Sequence, residues 1–193
     1  HVQVAAKHLE RGQSTGDDTS FTDAIYRANQ AFEGSLKEAY RVIADKDPAG
    51  VRPFDIESYF QQQNMLRPRV LSQFTIYRTQ WRNPSAHDYR LDFDEGEALL
   101  AIVTVSAFAI VLIDQIVERL SFEQARATAA VQSVSATNSQ SLIERIAGLT
   151  EQFTVQFNQS HAARSDIREA ELIGGLAGFF SKTVPDLDIQ VEP

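Results

Sequence analysis

Four side chains that can take part in catalysis lie within eight residues of one another, in the segment RNPSAHDY at positions 82–89. Arg82 carries a guanidinium, whose planar, paired N–H donors fit phosphate oxygens. His87 carries an imidazole, a group that changes charge near neutral pH and suits proton transfer. Asn83 and Tyr89 add an amide and a phenol. This set of groups fits a phosphate-containing substrate.

The segment lies where a helical pattern meets a proline. Apolar residues recur at steps of three and four: Leu66, Val70, Phe74, Tyr77 and Trp81. This stripe predicts a helix that begins near Pro68 and packs these side chains in the core. A residue before a proline is pushed away from helical angles, so we expect this helix to stop at Asn83. On a continuous helix Arg82 and His87 would diverge by about 140°. A break at Pro84 would let both turn toward one space, or leave them as cations at the carbonyl end of a helix.

The composition excludes several kinds of site. With 193 residues and 43% hydrophobic content, the chain is large enough to bury a core. It has no cysteine, so disulfides, thiolate nucleophiles and sulfur-ligated zinc are excluded. No two of its four histidines stand at a metal-ligand spacing. We therefore expect no metal and no cofactor.

Charge is distributed unevenly along the chain. The net charge is −8, which argues against a protein that coats nucleic acid. Residues 64–90, however, hold five arginines against Asp88 alone, a local balance of +4 that leaves −12 for the remainder. Such a segment favours a localised anionic ligand, although a solvated helix face would have the same composition.

Helical periodicity runs through most of the chain and predicts an all-α fold. Beside the helix that begins near Pro68, patterns predict helices at residues 21–43, around 56–60, from about 95 to 120, at 142–157 and at 167–180. Residues 121–141 are rich in Ala, Ser, Thr and Gln and predict a thin exposed helix or a linker. We expect a helical bundle at residues 1–120 and a helical extension, or a linker into a further domain, at 121–193.

One uncharged run, residues 98–113, needs comparison with a membrane span. As a helix it would be about 24 Å long, which is short of the ~30 Å hydrocarbon layer. We therefore predict a helix that is buried on most sides within the protein. No secretory signal pattern is visible, and we expect a cytoplasmic protein with no membrane partner.

The segment YRTQWRNPSAHDY, residues 77–89, resembles the signature of HEPN domains. In that family an arginine, usually followed by asparagine, precedes a histidine by four to six intervening residues at the end of a long helix. Arg82, Asn83 and His87 match this pattern. Tyr89 adds the His-x-Tyr extension found in HEPN toxins whose antitoxin is a nucleotidyltransferase. The resemblance covers roughly residues 21–120.

The resemblance implies an up-and-down helical bundle and a metal-independent endoribonuclease in a toxin or anti-phage defence setting. In such an enzyme the 2′-hydroxyl of RNA attacks the adjacent phosphate and leaves a 2′,3′-cyclic phosphate. Its catalytic residues here would be Arg82, His87 and Asn83. Arg78, Tyr89 and Arg90 would bind substrate, with Tyr89 also a candidate for modification. One arginine and one histidine are few for such a reaction, so we expect a homodimer that supplies two of each.

Two other functions stay open. The chain could be a non-catalytic HEPN module that dimerises or senses a nucleotide within a larger multidomain defence protein. It could also be a helical scaffold in which residues 121–157 make an intermolecular contact. Partners would accordingly be RNA, a second copy, a nucleotidyltransferase antitoxin or a fused effector domain.

Overall fold

The computed structural model describes residues 1–66, 68–87, 91–131 and 142–185, and these contain helices and connecting turns but no strand. The all-α prediction is confirmed for this part of the chain. The helices are α1 Val2–Thr15, α2 Thr19–Ile43, α3 Pro53–Gln62, α4 Pro68–Tyr77, a π-helical segment Arg78–Arg82, α5 Asn83–His87, α6 Glu95–Val131, α7 Leu142–Ser160 and α8 Glu169–Thr183. The sequence patterns missed α1 and the short helix α5; α1 was missed because its apolar residues are few and its buried positions include Gly12.

The chain divides into two compact units, and the division falls within α6. The first comprises residues 1–113 and the second begins at Asp114. The boundary expected at residue 120 also falls inside this helix, which runs eleven residues past its predicted end to Val131. Composition changes along α6 without any turn residue, so the sequence patterns could not show that one helix contributes to both units.

An aromatic cluster forms the core of the first unit. Phe32 of α2 packs against Tyr77 with ring centroids 4.9 Å apart, and Phe74 packs against Phe108 of α6 at 5.1 Å. Phe32, Phe74 and Tyr77 have no exposed surface, as the apolar stripes predict. Trp81 is only half-buried and leans on the Tyr77 ring. These contacts fix the helix that carries the segment of interest against α2.

The predicted end of the helix at Asn83 is wrong. Helical structure continues from Pro68 through His87, with a widened π turn at Arg78–Arg82. The N–H of Asn83 donates to the carbonyl of Arg78, five residues earlier. Proline in an α-helix clashes with the carbonyl four residues before it, and a widened turn relieves that clash. Pro84 therefore alters the helix without breaking it.

The prediction that α6 is buried on most sides is also wrong. One side of the helix packs in the core, with Ala98, Ala101, Val105 and Leu112 at most 1% exposed. The opposite side carries leucine, valine and isoleucine side chains that are about half exposed. Within the described residues α6 is the one helix long and apolar enough to cross a membrane, yet its other face belongs to the core of a helical bundle.

The second unit is built by the end of α6 with α7 and α8. Gly174 and Gly178 of α8 bring its backbone against the carbonyls of Glu118 and Phe122 on α6. The buried core lies beside this crossing and includes Ala129, Leu149, Phe153, Phe179 and Val184. Residues 121–131 are thus helical, and five of the nine side chains described at 121–129 are exposed, which fits the thin exposed helix rather than the linker; residues 132–141 lie outside the described part of the chain.

Candidate functional site

A stripe of polar side chains on α2 holds the segment that follows the π turn. The hydroxyl of Tyr26 donates to the Ser85 carbonyl at 2.9 Å, and the amide of Asn29 donates to Ser85 Oγ at 2.6 Å. The hydroxyl of Tyr77 donates to Asn29 Oδ1 at 3.0 Å, and Ser85 Oγ donates to the Arg82 carbonyl at 3.0 Å. Buried polar groups that satisfy one another in this way define one backbone position.

Arg82 is oriented by two neighbours. Its Nε donates to Oε1 of Glu33 on α2 at 2.8 Å, and its Nη1 donates to Oδ1 of Asn83 at 3.3 Å. The Arg82 side chain is 27% exposed and that of Glu33 is 33% exposed. The guanidinium is therefore held at the edge of the unit, where part of it still meets solvent. The described hydrogen bond of the Asn83 side chain is thus to Arg82, and not to His87.

His87 lies on the last turn of α5 and is exposed to solvent. Ser85, two residues earlier, is buried against α2, so a helix places His87 on the side that faces away from α2. Arg82, in contrast, contacts α2 through Glu33. Because α5 continues the helix, Arg82 and His87 diverge by about 140° within one chain. A break at Pro84 does not bring them together.

Arg78 is more fully engaged than Arg82. Its Nε donates to both carboxylate oxygens of Glu57 on α3, at 3.0 and 3.1 Å, and its guanidinium lies over the Phe54 ring. The two side chains are 15% and 7% exposed. Burial raises the pKa of Glu57, an effect that the hydrogen bonds from Arg78 oppose. This pair ties the π turn to α3.

Carboxylates from other helices thus pair with two of the arginines in the basic segment. Glu33 and Glu57 are distant from Arg82 and Arg78 in sequence, and their roles were missed. Tyr26, Asn29 and Glu33 stand at helical spacing on α2, which is the signal that the sequence offers. The sequence around these three residues does not show which other helix the polar stripe contacts. Arg67, Asp88, Tyr89 and Arg90 lie outside the described residues.

Within the described ranges, no three His, Asp or Glu side chains stand close enough together to hold a metal ion. The described side chains of the site offer a charge-assisted hydrogen-bond donor at Arg82 and a proton donor or acceptor at His87. Comparisons of the chain with protein-family models, with curated proteins and with solved structures find no match.

Proposed function

We propose that the protein is a metal-independent endoribonuclease of HEPN type that acts as a homodimer in the cytoplasm, in a toxin or anti-phage defence setting. The observation that carries this proposal is the contrast between Arg82 and His87. Arg82 is oriented by Glu33 and Asn83 but keeps an exposed edge, while His87 stands free of the α2 contacts on an exposed turn.

The chemistry follows from these two groups. His87 moves protons between the attacking 2′-hydroxyl, the leaving 5′-oxygen and water. The guanidinium of Arg82 stabilises the charge that grows on the phosphate oxygens in the transition state. Asn83 keeps the guanidinium in place, which limits the reorganisation needed when substrate binds. The products are a 2′,3′-cyclic phosphate and a 5′-hydroxyl end.

A second copy completes the site. Since Arg82 and His87 point in different directions within one chain, a single phosphate cannot readily meet both from the same protomer. A two-fold axis near the motif would pair Arg82 of one protomer with His87 of the partner subunit. The proposal therefore assigns catalysis to the dimer and not to the monomer.

The test is cleavage of end-labelled total RNA in EDTA by the wild type, by Arg82→Ala and by His87→Ala. We expect both variants to be inactive while remaining folded. Mixing the two variants allows mixed dimers with one intact site, so about a quarter of wild-type activity should return. Cleavage that survives either substitution, or that requires Mg²⁺, would refute the mechanism. An inactive mixture whose subunits demonstrably exchange would refute the composite site.

A second candidate is the non-catalytic HEPN module. The pairing of both Arg78 and Arg82 with carboxylates favours it, because paired arginines offer less charge to a phosphate. This candidate predicts no cleavage by the wild type under any condition and a dimer that is unaffected by His87→Ala.

A further inference from the structure

The exposed side of α6 is continuous and apolar. Leu99, Leu100, Val103, Ile110 and Val111 are between 39% and 56% exposed, and Ala107 is exposed among them. We call these six residues the α6 ridge. A helix that is apolar on its outer side as well as its inner side is normally buried on both sides, so we expect the outer side of α6 to bind a partner.

The spacing of the ridge suits another helix. Leu99, Val103, Ala107 and Val111 follow one another at steps of four residues, which aligns them in a single row along the helix surface. Rows of this kind interdigitate when two helices cross at about −50°, with axes 8–10 Å apart. Ala107 is the small residue in the middle of the row and allows close approach there. When two α6 helices cross at this point, their ends lie far apart. The acidic residues that flank one ridge are then separated from those that flank the other.

Charge argues against a lipid surface as the covering. From Leu91 to Glu118 the chain has no lysine or arginine, whereas Asp94, Glu95 and Glu97 precede the ridge; Asp114, which follows it, pairs with Arg168. Helices that lie on membranes carry cations beside their apolar face, since headgroup surfaces are commonly anionic. The carboxylates here would be repelled, and a protein surface is the better fit.

The size of the ridge matches a standard protein interface. Half-exposed side chains of this kind present on the order of 80 Å² each, so the ridge offers roughly 400–500 Å² of apolar surface. A stable interface buries about 800 Å² per partner, of which a little over half, about 450 Å², is apolar. Two ridges would therefore supply the apolar part of one symmetric interface.

The ridge begins at the same end of the first unit as the motif. The N–H of Phe93, just before α6, donates to Thr22 Oγ1 on α2 at 3.2 Å. One turn further along α2, Tyr26 holds the carbonyl of Ser85. The start of α6 and the segment that carries His87 thus lie beside the same turns of α2. The start of the ridge is thus near the motif, and the crossing proposed below lies about three to four helical turns beyond Phe93 along α6.

We infer that the α6 ridge is the surface on which a second copy of this chain packs, in a two-fold-symmetric crossing near Val103 and Ala107. This inference deepens the proposed function by naming the surface through which its dimer forms. It rests on the proposed function only in assigning catalysis to that dimer.

The first test compares two valine-to-glutamate variants of the full chain by sedimentation equilibrium. The wild type should have twice the chain mass of 21.6 kDa. Val103→Glu places two carboxylates in the crossing and should weaken the dimer by about 100-fold or more. Val4→Glu is the matched control, because Val4 is a 40% exposed valine on α1 of the same unit. It should leave the dimer intact.

The second test uses the absence of cysteine from the chain. Ala107→Cys introduces a single thiol at the crossing, and mild oxidation should link two chains rapidly, since disulfides need Cα atoms within about 7 Å. Val4→Cys should not link. This result decides the matter even if Val103→Glu fails to fold.

A wild type that is monomeric at ~100 µM would overturn the inference, as would a Val103→Glu dimer as tight as the wild type. Binding of a monomeric wild type to neutral phosphatidylcholine vesicles, lost in Val103→Glu, would replace the second copy with lipid and also overturn it. RNA cleavage is a separate readout. A ridge dimer without cleavage refutes the proposed function alone, and cleavage by a dimer insensitive to Val103→Glu refutes the ridge alone.

Discussion

Nε of Arg82 donates a 2.8 Å hydrogen bond to Oε1 of Glu33, which lies 49 residues earlier on α2. The pair is partly exposed, with 27% and 33% of the two side chains accessible. It orients the guanidinium without enclosing it. This relationship makes Glu33 a positioning residue of the proposed ribonuclease, since it acts on the substrate only through Arg82.

Glu33→Ala should lower kcat for RNA cleavage by about 10- to 100-fold with little change in KM, because the guanidinium loses its fixed direction. Glu33→Gln keeps an oxygen acceptor for Nε and should restore most of the rate. Glu38→Ala is the matched control, as Glu38 pairs with Arg41 on the outer surface of the same helix. Faster cleavage by Glu33→Ala would instead identify Glu33 as a carboxylate that restrains Arg82.

Pro84→Ala should stabilise the protein but reduce RNA cleavage. Alanine restores an N–H and removes the ring that the widened turn accommodates, a change of about 1–3 kcal/mol in the free energy of unfolding. Without the proline the π turn is less favoured relative to an α-helical turn, and a change to α-helix would rotate Arg82 away from Glu33. Thermal unfolding and single-turnover cleavage measure the two effects. A variant as active as the wild type would show that the π turn does not position Arg82.

Gly174→Ala should destabilise the second unit, although alanine normally favours a helix over glycine by about 1 kcal/mol. A Cβ at position 174 would overlap the carbonyl of Glu118, and backbone cannot yield as a side chain can. Gly148→Ala on α7 is the matched control, because nothing lies within 4 Å of its added Cβ. It should stabilise by about 0.5–1 kcal/mol. Chemical denaturation of both variants shows whether the free energy of unfolding rises or falls. Stabilisation by Gly174→Ala would contradict the close crossing of α8 and α6.

Stability should fall in acid partly through Glu171. Arg164 donates to both oxygens of this carboxylate, at 2.8 and 3.0 Å, which lowers the pKa of Glu171 below its ordinary value of 4.5. The unfolded chain therefore binds the proton more readily than the folded chain. The resulting stability is present above pH 4.5 and is lost as the pH falls through the lower pKa of the folded state.

Glu171→Gln should accordingly lower the melting temperature at pH 7 and flatten its decline between about pH 5 and 3. His161, whose Nε2 lies 3.5 Å from the carboxylate, also faces this group. Glu151→Gln, at an exposed position of α7, should leave the curve unchanged. An acid decline in Glu171→Gln as steep as in the wild type would show that the Arg164 pair does not contribute.

Periodicity alone predicted most of the helices, because burial on one side of a helix imposes its repeat on the sequence. The stripe of Phe74 and Tyr77 and the start at Pro68 are confirmed. The end at Asn83 is wrong, since the local preference of a residue before proline was outweighed by the contacts of Ser85 with α2. A widened turn let the chain keep both the proline and those contacts.

By itself, then, the sequence determined the helical class, the apolar stripes and the candidate pair Arg82 and His87, all of which depend on residue type and local spacing. Tertiary structure decided which carboxylates neutralise Arg78 and Arg82. It also decided toward which side His87 points and which face of α6 remains exposed. The first of these outcomes depends on pairings across 21 and 49 residues, between Arg78 and Glu57 and between Arg82 and Glu33. No local pattern encodes such a pairing, because each partner is equally compatible with solvent until the helices pack.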